Sequence, residues 1–115
     1  MEEVGPENEK IIVLARSARA RLSAAEGAAV RDTTGRTYAA TTVALPSLQL
    51  SAIRAAIVMA VGGGADGLEA VGVVSGSDRP PPAEDLAAVR DLGGPTTPVY
   101  LATPDGHVWA RIDAG

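Results

Sequence analysis

Few side chains in this sequence have the chemistry that catalysis or metal binding requires. His107 is the only histidine and there is no cysteine, so a thiolate nucleophile and sulfur-based zinc sites are excluded. Glu84 and Asp85 form an adjacent pair of carboxylates that could act in general acid–base catalysis. Ser51 could serve as a nucleophile only beside a base, and the sequence predicts none near it.

Structural roles explain these residues at least as well. Glu84 and Asp85 fall in the first turn of a predicted helix, where acidic side chains complement the helix dipole. His107 opens a predicted edge strand after a turn, a position typical of exposed residues. The glycines at 62–64 follow a helix and lack the lysine and hydroxyl residue of a phosphate loop, so we interpret them as a helix stop. Arg54 is interpreted as half of a structural ion pair, with ligand binding as the alternative.

Composition indicates one small globular domain. The chain has 115 residues, of which 46% are apolar and 3% aromatic, and its net charge is −4. The acidic balance argues against binding to a phosphate backbone. No apolar run approaches the roughly 18 residues of a membrane span, and the acidic start is unlike a secretory signal. We therefore predict a cytoplasmic protein that binds neither nucleic acid nor membranes.

The stretch at residues 48–61 is the segment around which the other elements must pack. Its only charge is Arg54, and a helix without a polar face is typically buried. We predict that this helix begins near Pro46, because proline is well tolerated in a first turn.

The remaining elements are predicted from apolar periodicity and turn residues. A flexible acidic tail is expected at residues 1–8, followed by a single domain at 9–115, whose first helix is capped by Asn8. In the last strand, Val108, Ala110 and Ile112 are predicted to share one face and Trp109 the other. The order is α-β-β-α-β-α-β-β, an α/β fold with a mixed sheet. The further predicted elements are a helix at 83–92 and strands at 27–31, 36–43, 69–75, 98–103 and 107–112.

Several segments resemble the small cytidine deaminase family, over about residues 10–112. Residues 51–57, Ser-Ala-Ile-Arg-Ala-Ala-Ile, stand where the family has Cys-Ala-Glu-Arg-x-Ala-Ile. Residues 81–89, Pro-Pro-Ala-Glu-Asp-Leu-Ala-Ala-Val, stand where it has Pro-Cys-Gly-x-Cys-Arg-Gln-x-Leu. Residues 99–106 resemble its final hairpin. The resemblance implies a three-layer α/β/α fold with a mixed five-stranded sheet, and dimers or tetramers packed through the central helices.

The resemblance also places unsuitable residues at every chemical position of that family. Zinc deaminases use a His or Cys ligand, a glutamate two residues later that moves protons, and two further cysteine ligands. By this alignment Ser51 and Ile53 replace the first ligand and the glutamate, and Pro82 and Asp85 replace the two cysteines. Thr42 replaces a ribose-binding asparagine. We therefore expect no metal or other cofactor and no catalytic residue.

These observations favour a catalytically inactive cytidine deaminase-like protein that serves as a homo-oligomeric assembly or interaction module, with another protein as a further possible partner. Arg54, Thr42 and Glu84 are the candidates for contacts to a ligand or at an interface. One alternative is a regulator that binds a nucleoside or nucleotide in the vestigial cleft. A less favoured one is an active deaminase-type hydrolase with non-standard ligands.

Overall fold

A computed structural model describes residues 4–115, so residues 1–3 of the predicted acidic tail lie outside the described residues. Within the described part, the structure contains the predicted elements in the predicted order and, in addition, a short hairpin that was not predicted. The elements are α1 (Pro6–Leu22), β1 (Glu26–Asp32), β2 (Thr37–Thr41), β3 (Val43–Leu45), β4 (Leu48–Leu50), α2 (Ala52–Gly62), β5 (Leu68–Ser75), α3 (Ala83–Gly93), β6 (Pro98–Ala102) and β7 (Val108–Asp113).

The main sheet has five strands in the order β2-β1-β5-β6-β7. Strands β5 and β6 are parallel, and the other neighbouring pairs are antiparallel. The predicted mixed sheet is confirmed. Strand β5 lies at its centre and is buried along nearly its whole length, because its run of Ala, Val and Gly is covered on both faces.

The helices cover the two faces of the sheet unequally and give three layers. Helices α2 and α3 pack on one face around Ile53, Val71 and Val99. Helix α1 packs on the other through Ile11 and Ile12. It lies close to the sheet because β1 and β5 carry glycines beneath it: a Cβ on Gly27 would overlap the carbonyl oxygen of Ala15.

Helix α1 begins earlier than predicted, and Asn8 is not its cap. The helix starts at Pro6, a residue suited to a first turn because its missing N–H has no helical partner there. The Asn8 amide donates instead to the Val4 carbonyl and to the Tyr100 hydroxyl, both at 3.0 Å. Asn8 therefore ties the start of α1 to β6.

The central helix is shorter than predicted, and it is not buried all round. Pro46 lies in the turn of the β3–β4 hairpin, a position that its fixed φ angle suits as well as a helix start. Helix α2 begins after Ser51, whose hydroxyl accepts the Arg54 N–H at 3.1 Å. Its inner face is buried, but Val58 and Met59 are each more than half exposed.

A bulge in β7 changes the predicted faces of the last strand. Ala110 pairs with Leu101 and Val108 with Ala102, so Trp109 is an extra residue without a partner on β6. Val108 consequently packs on the α1 side, whereas Trp109, Ala110 and Ile112 pack on the side of α2 and α3. The prediction that Trp109 faces away from Ala110 and Ile112 was wrong.

Candidate functional site

The amino ends of α2 and α3 lie together on one face of the sheet. Ser51 is the cap residue of α2, and Pro82 is the corresponding residue of α3. Pro82 has extended backbone angles, and its carbonyl accepts the Asp85 N–H at 3.0 Å. This arrangement brings four of the predicted site residues together: Ser51, Arg54, Glu84 and Asp85.

Asp85 is the buried polar group at this meeting point. Its side chain is 2% exposed, and its Oδ1 atom has no hydrogen-bond partner. Burial raises the pKa of Asp85, while the neighbouring Ser51 hydroxyl and the positive charge of Arg54 act in the opposite direction. The nearby Glu84 charge raises it further. The carboxylate is therefore held in an environment that disfavours its charge.

Arg54 lies at the edge of the same site. One guanidinium nitrogen is 4.0 Å from a Glu84 carboxylate oxygen, and both side chains are partly or largely exposed. A pair with that exposure and distance stabilises a protein by less than about 1 kcal/mol. Arg54 also places a positive charge near the buried Asp85 carboxylate.

The other predicted site residues have separate surroundings. Ile53 is 1% exposed and belongs to the aliphatic core. Thr42 accepts the Glu26 backbone N–H at 3.1 Å through its hydroxyl, so it joins the end of β2 to the start of β1. His107 is exposed, and Gly63 ends α2, as the sequence predicted for both.

A cleft of about 230 Å³ opens beside the carboxyl ends of the parallel strands β5 and β6. Open α/β sheets commonly bind ligands at that edge. Aliphatic side chains of both strands and Trp109 contact the cleft, and the loop before α3 forms its rim. The lining residues are Glu26, Val73, Ser75, Ser77, Arg79, Pro80, Pro81, Pro82, Leu101, Ala102 and Trp109.

Glu26 is the residue of this cleft that sequence reasoning missed. Its carboxylate Oε1 lies 3.4 Å from the Ala52 N–H, at the first turn of α2. A carboxylate there is favoured because the amino end of a helix has unpaired N–H groups and a positive dipole. The signal in the sequence was a charged residue directly before the apolar strand residues 27–30.

The family profile described as cytidine deaminase-like matches residues 4–106. The chain belongs to the cytidine deaminase-like family. No curated protein sequence matches it.

Solved structures agree with the family assignment. Cytidine deaminase from Burkholderia pseudomallei has 26% identity and a TM-score of 0.80, over 92% of this chain and 91% of that one. Cytidine deaminase from Mycobacterium leprae has 22% identity and a TM-score of 0.73, over 92% of each chain. The Mycobacterium tuberculosis enzyme has 24% identity and a TM-score of 0.68, over 78% of this chain and 80% of that one. The predicted cytidine deaminase-like fold is confirmed.

The donor atoms at the meeting point of α2 and α3 do not fit the zinc ion of the zinc deaminases. That ion is held by histidine and cysteine ligands. Ser51 offers a neutral hydroxyl, Asp85 offers one carboxylate, and the side chain of Pro82 has no ligand atom. Across residues 4–115, no group of three or more His, Cys, Asp or Glu side chains is arranged to hold a metal ion. These side chains therefore do not form the ligand set of a zinc deaminase.

Among the described helices, none combines the length and the apolar character needed to cross a bilayer.

Proposed function

We propose that this protein is a catalytically inactive member of the cytidine deaminase-like family and acts as a homo-oligomeric assembly module. The observation that carries the proposal is the burial of Ile53 next to Ser51. Ile53 stands at the position we align with the proton-carrying glutamate, and it is 1% exposed inside an aliphatic core. An isoleucine there cannot accept or donate a proton, so hydrolytic deamination lacks its acid–base group.

The neighbouring residues support the same conclusion. The Ser51 hydroxyl accepts the Arg54 N–H at the start of α2, and the Thr42 hydroxyl accepts the Glu26 N–H. The Asp85 carboxylate is buried, so it is poorly placed to reach a ligand in the cleft. Two of the polar side chains that we align with the family's chemistry, those of Ser51 and Thr42, thus have structural partners.

An assay for ammonia release from cytidine and deoxycytidine tests the catalytic part of this proposal. The B. pseudomallei cytidine deaminase, prepared in the same way, is the positive control. We expect no ammonia above the buffer blank, with or without added zinc. Turnover that disappears on treatment with a chelator would contradict the proposal.

The assembly part rests on the outer face of α2 and the adjoining hairpin. Arg54 is the only charged residue of α2, so the exposed part of the helix beyond it is entirely apolar. An exposed apolar surface of this kind marks an interaction site in a soluble protein. We propose a second copy of this chain as its partner, because self-association through a two-fold axis is the commonest assembly. The exposed apolar residues are Leu45, Leu48, Val58, Met59 and Val61.

A second candidate function is binding of a nucleoside or nucleotide in the cleft. Trp109 offers an aromatic surface there, and Glu26 and Arg79 offer polar contacts of opposite charge. The volume, about 230 Å³, is below the roughly 300–1,000 Å³ of usual ligand pockets, which makes this the weaker candidate. Binding would stabilise the folded state by about 2.7 kcal/mol at a ligand concentration 100 times Kd. The melting temperature would rise as a result. No shift with cytidine, uridine or their monophosphates at millimolar concentration would eliminate it.

A further inference from the structure

We propose that the cleft beside β5 and β6 binds a small apolar α-amino acid. The ammonium group of the ligand lies at Glu26, its carboxylate at Arg79, and its side chain points toward Trp109, three residues that line the cleft. The inference goes beyond the proposed assembly function and does not depend on it, because the exposed apolar residues of α2 are not part of the cleft lining.

The strand order β1-β5-β6-β7 places Glu26 and Trp109 on opposite sides of the cleft. Glu26 is the first residue of β1 and pairs with Ser75, the last residue of β5. Trp109 is the bulged residue of β7, beyond β6. Between them, Val73 of β5 and Leu101 of β6 are register partners and give the cleft an aliphatic floor. A ligand that fills the cleft therefore needs a polar end near β1 and an apolar end near β7.

The cleft contains two opposite charges that the described part of the chain leaves unpaired. Glu26 and Arg79 are the two titratable residues of its lining, and neither takes part in an ion pair among residues 4–115. One Glu26 oxygen accepts a long hydrogen bond, 3.4 Å, from the Ala52 N–H. A carboxylate can accept at both oxygens, so Glu26 keeps capacity for a charged donor from a ligand.

The loop after β5 adds hydroxyl donors beside Arg79. The Ser75 hydroxyl accepts the Ser77 N–H, and the Ser77 hydroxyl accepts the Arg79 N–H, each at 3.1 Å. Each hydroxyl is an acceptor in that contact and keeps its own proton for donation. A guanidinium with neighbouring hydroxyl donors suits a ligand carboxylate, which only accepts hydrogen bonds.

The groups suited to a carboxylate and the group suited to an ammonium ion lie at the same end of the cleft. This follows from the pairing of Glu26 with Ser75 across the sheet, since both residues line the cleft. In an α-amino acid the ammonium and carboxylate groups are attached to one carbon atom, and the side chain leaves from that atom in another direction. The arrangement of charges at one end and apolar surface at the other therefore matches this class of ligand.

The volume of the cleft and its charges favour an amino acid over a nucleoside. The volume is about 230 Å³, below the roughly 300 Å³ at which usual ligand pockets begin, so a molecule smaller than a nucleoside suits it better. A nucleoside has neither an ammonium group nor a carboxylate. It would cover the charges of Glu26 and Arg79 without neutralising them, which costs free energy.

Fluorescence of Trp109 tests the inference, because it is the only tryptophan of the chain and it lines the cleft. L-leucine is titrated into the unmodified full chain at neutral pH, and we expect a saturable change with a Kd of about 1 mM or tighter. Isocaproic acid, which lacks the ammonium group, and isoamylamine, which lacks the carboxylate, are the matched ligands. Each should bind at least about tenfold more weakly, because each leaves one charge of the cleft without a partner.

Two variants that remove one charge each assign the groups of the ligand to their residues. Glu26→Gln should weaken L-leucine binding by about tenfold or more and leave isocaproic acid binding unchanged, since that acid has no ammonium group. Arg79→Gln should weaken L-leucine binding to a similar degree and leave isoamylamine binding unchanged. Arg21→Gln is the control, because Arg21 is an exposed charge on α1, on the other face of the sheet. It should change none of the three affinities.

Three outcomes would overturn the inference. The first is absence of a saturable change with L-leucine, and the second is binding of all three ligands within about threefold of one another. The third is binding of cytidine without binding of L-leucine, which would favour the second candidate function instead. The proposed inactive assembly module would stand in each case, since ammonia release and sedimentation test it separately.

Discussion

The hydroxyl of Tyr38 donates a 2.9 Å hydrogen bond to Oδ2 of Asp32, a carboxylate with no exposed surface. Oδ1 of Asp32 accepts from the Thr34 and Arg36 backbone N–H groups, each at 2.9 Å, and from the Thr34 hydroxyl at 2.7 Å. The Tyr38 ring lies against Gly63, where a Cβ would clash with it. This cluster joins the β1–β2 turn to the carboxyl end of α2, at the opposite end of that helix from Ser51.

The first prediction concerns acid unfolding. Burial alone would raise the pKa of Asp32, but the hydrogen bonds from Thr34, Tyr38 and Arg36 outweigh it and lower that pKa from 3.8 to about 2. Since the folded pKa is the lower one, ionised Asp32 stabilises the fold above pH 3.8. That stability is lost as pH falls toward 2.

Thermal unfolding between pH 2 and pH 5 checks this expectation. The melting temperature of the parent protein should fall steeply between pH 3.8 and 2. Asp32→Asn should be less stable at pH 7 and should have a flatter profile in that window. Parallel profiles for the two proteins would contradict the assignment.

The second prediction separates the phenol of Tyr38 from its ring. Tyr38→Phe keeps the packing against Gly63 but removes one donor to Asp32, so it should move the acid transition to higher pH. Tyr100→Phe is the control, because the Tyr100 hydroxyl contacts Asn8. An unchanged acid midpoint for Tyr38→Phe would mean that the hydrogen bond does not hold the pKa down.

The third prediction tests the close approach of α1 to the sheet. Gly27→Ala would overlap the Ala15 carbonyl, a backbone atom that cannot rotate away, and should cost about 1–3 kcal/mol of stability or more. Gly62→Ala is the matched control, because nothing lies within 4 Å of its Cβ position at the end of α2. The control should be neutral or stabilise by up to about 1 kcal/mol. Urea unfolding distinguishes them, and equal midpoints would be incompatible with the observed packing.

The fourth prediction concerns self-association. Val58→Glu with Val61→Glu places charge on the outer face of α2 and should convert an oligomer into monomers without lowering the helix content. Leu22→Glu is the control, since Leu22 is equally exposed but lies on α1, on the other face of the sheet. Sedimentation velocity at micromolar concentration measures the result. A parent protein that is already monomeric there would refute the proposed assembly.

The fifth prediction tests the residue alignment behind the proposed inactive site. The variant Ser51→Cys/Pro82→Cys/Asp85→Cys should bind zinc, with Zn–S distances of about 2.3 Å in X-ray absorption, and should melt at a higher temperature when zinc is present. A variant with Glu84→Cys in place of Pro82→Cys is the control, because it moves one thiolate to the exposed side of α3. Failure of the first variant to bind zinc would show that these three positions do not converge.

Much of the fold was predictable because long elements carry their own periodicity. Strand β5 and helix α3 lie within one residue of their predicted positions, since a continuous apolar run and an acidic first turn are local signals. The β3–β4 hairpin was missed because Pro46 suits a turn and a helix start equally well. The Trp109 bulge was missed because alternation of apolar residues does not reveal an extra residue.

The candidate site was predictable only in part. The helical context of Ser51 and Asp85 came from sequence, but their proximity depends on the packing of α2 against α3, which spacing along the chain does not encode. The outer face of α2 was predicted to be buried, yet Val58, Met59 and Val61 are exposed in the single chain. Apolar character alone does not distinguish burial inside a chain from burial between chains.

The zinc content of the purified protein is the most direct test of the proposal that the site is inactive. The protein is prepared without chelators from cells grown with added zinc, dialysed, and measured by elemental analysis beside the B. pseudomallei enzyme. The account predicts zinc far below stoichiometry in this protein and stoichiometric zinc in the control. Stoichiometric zinc that resists dialysis would contradict it.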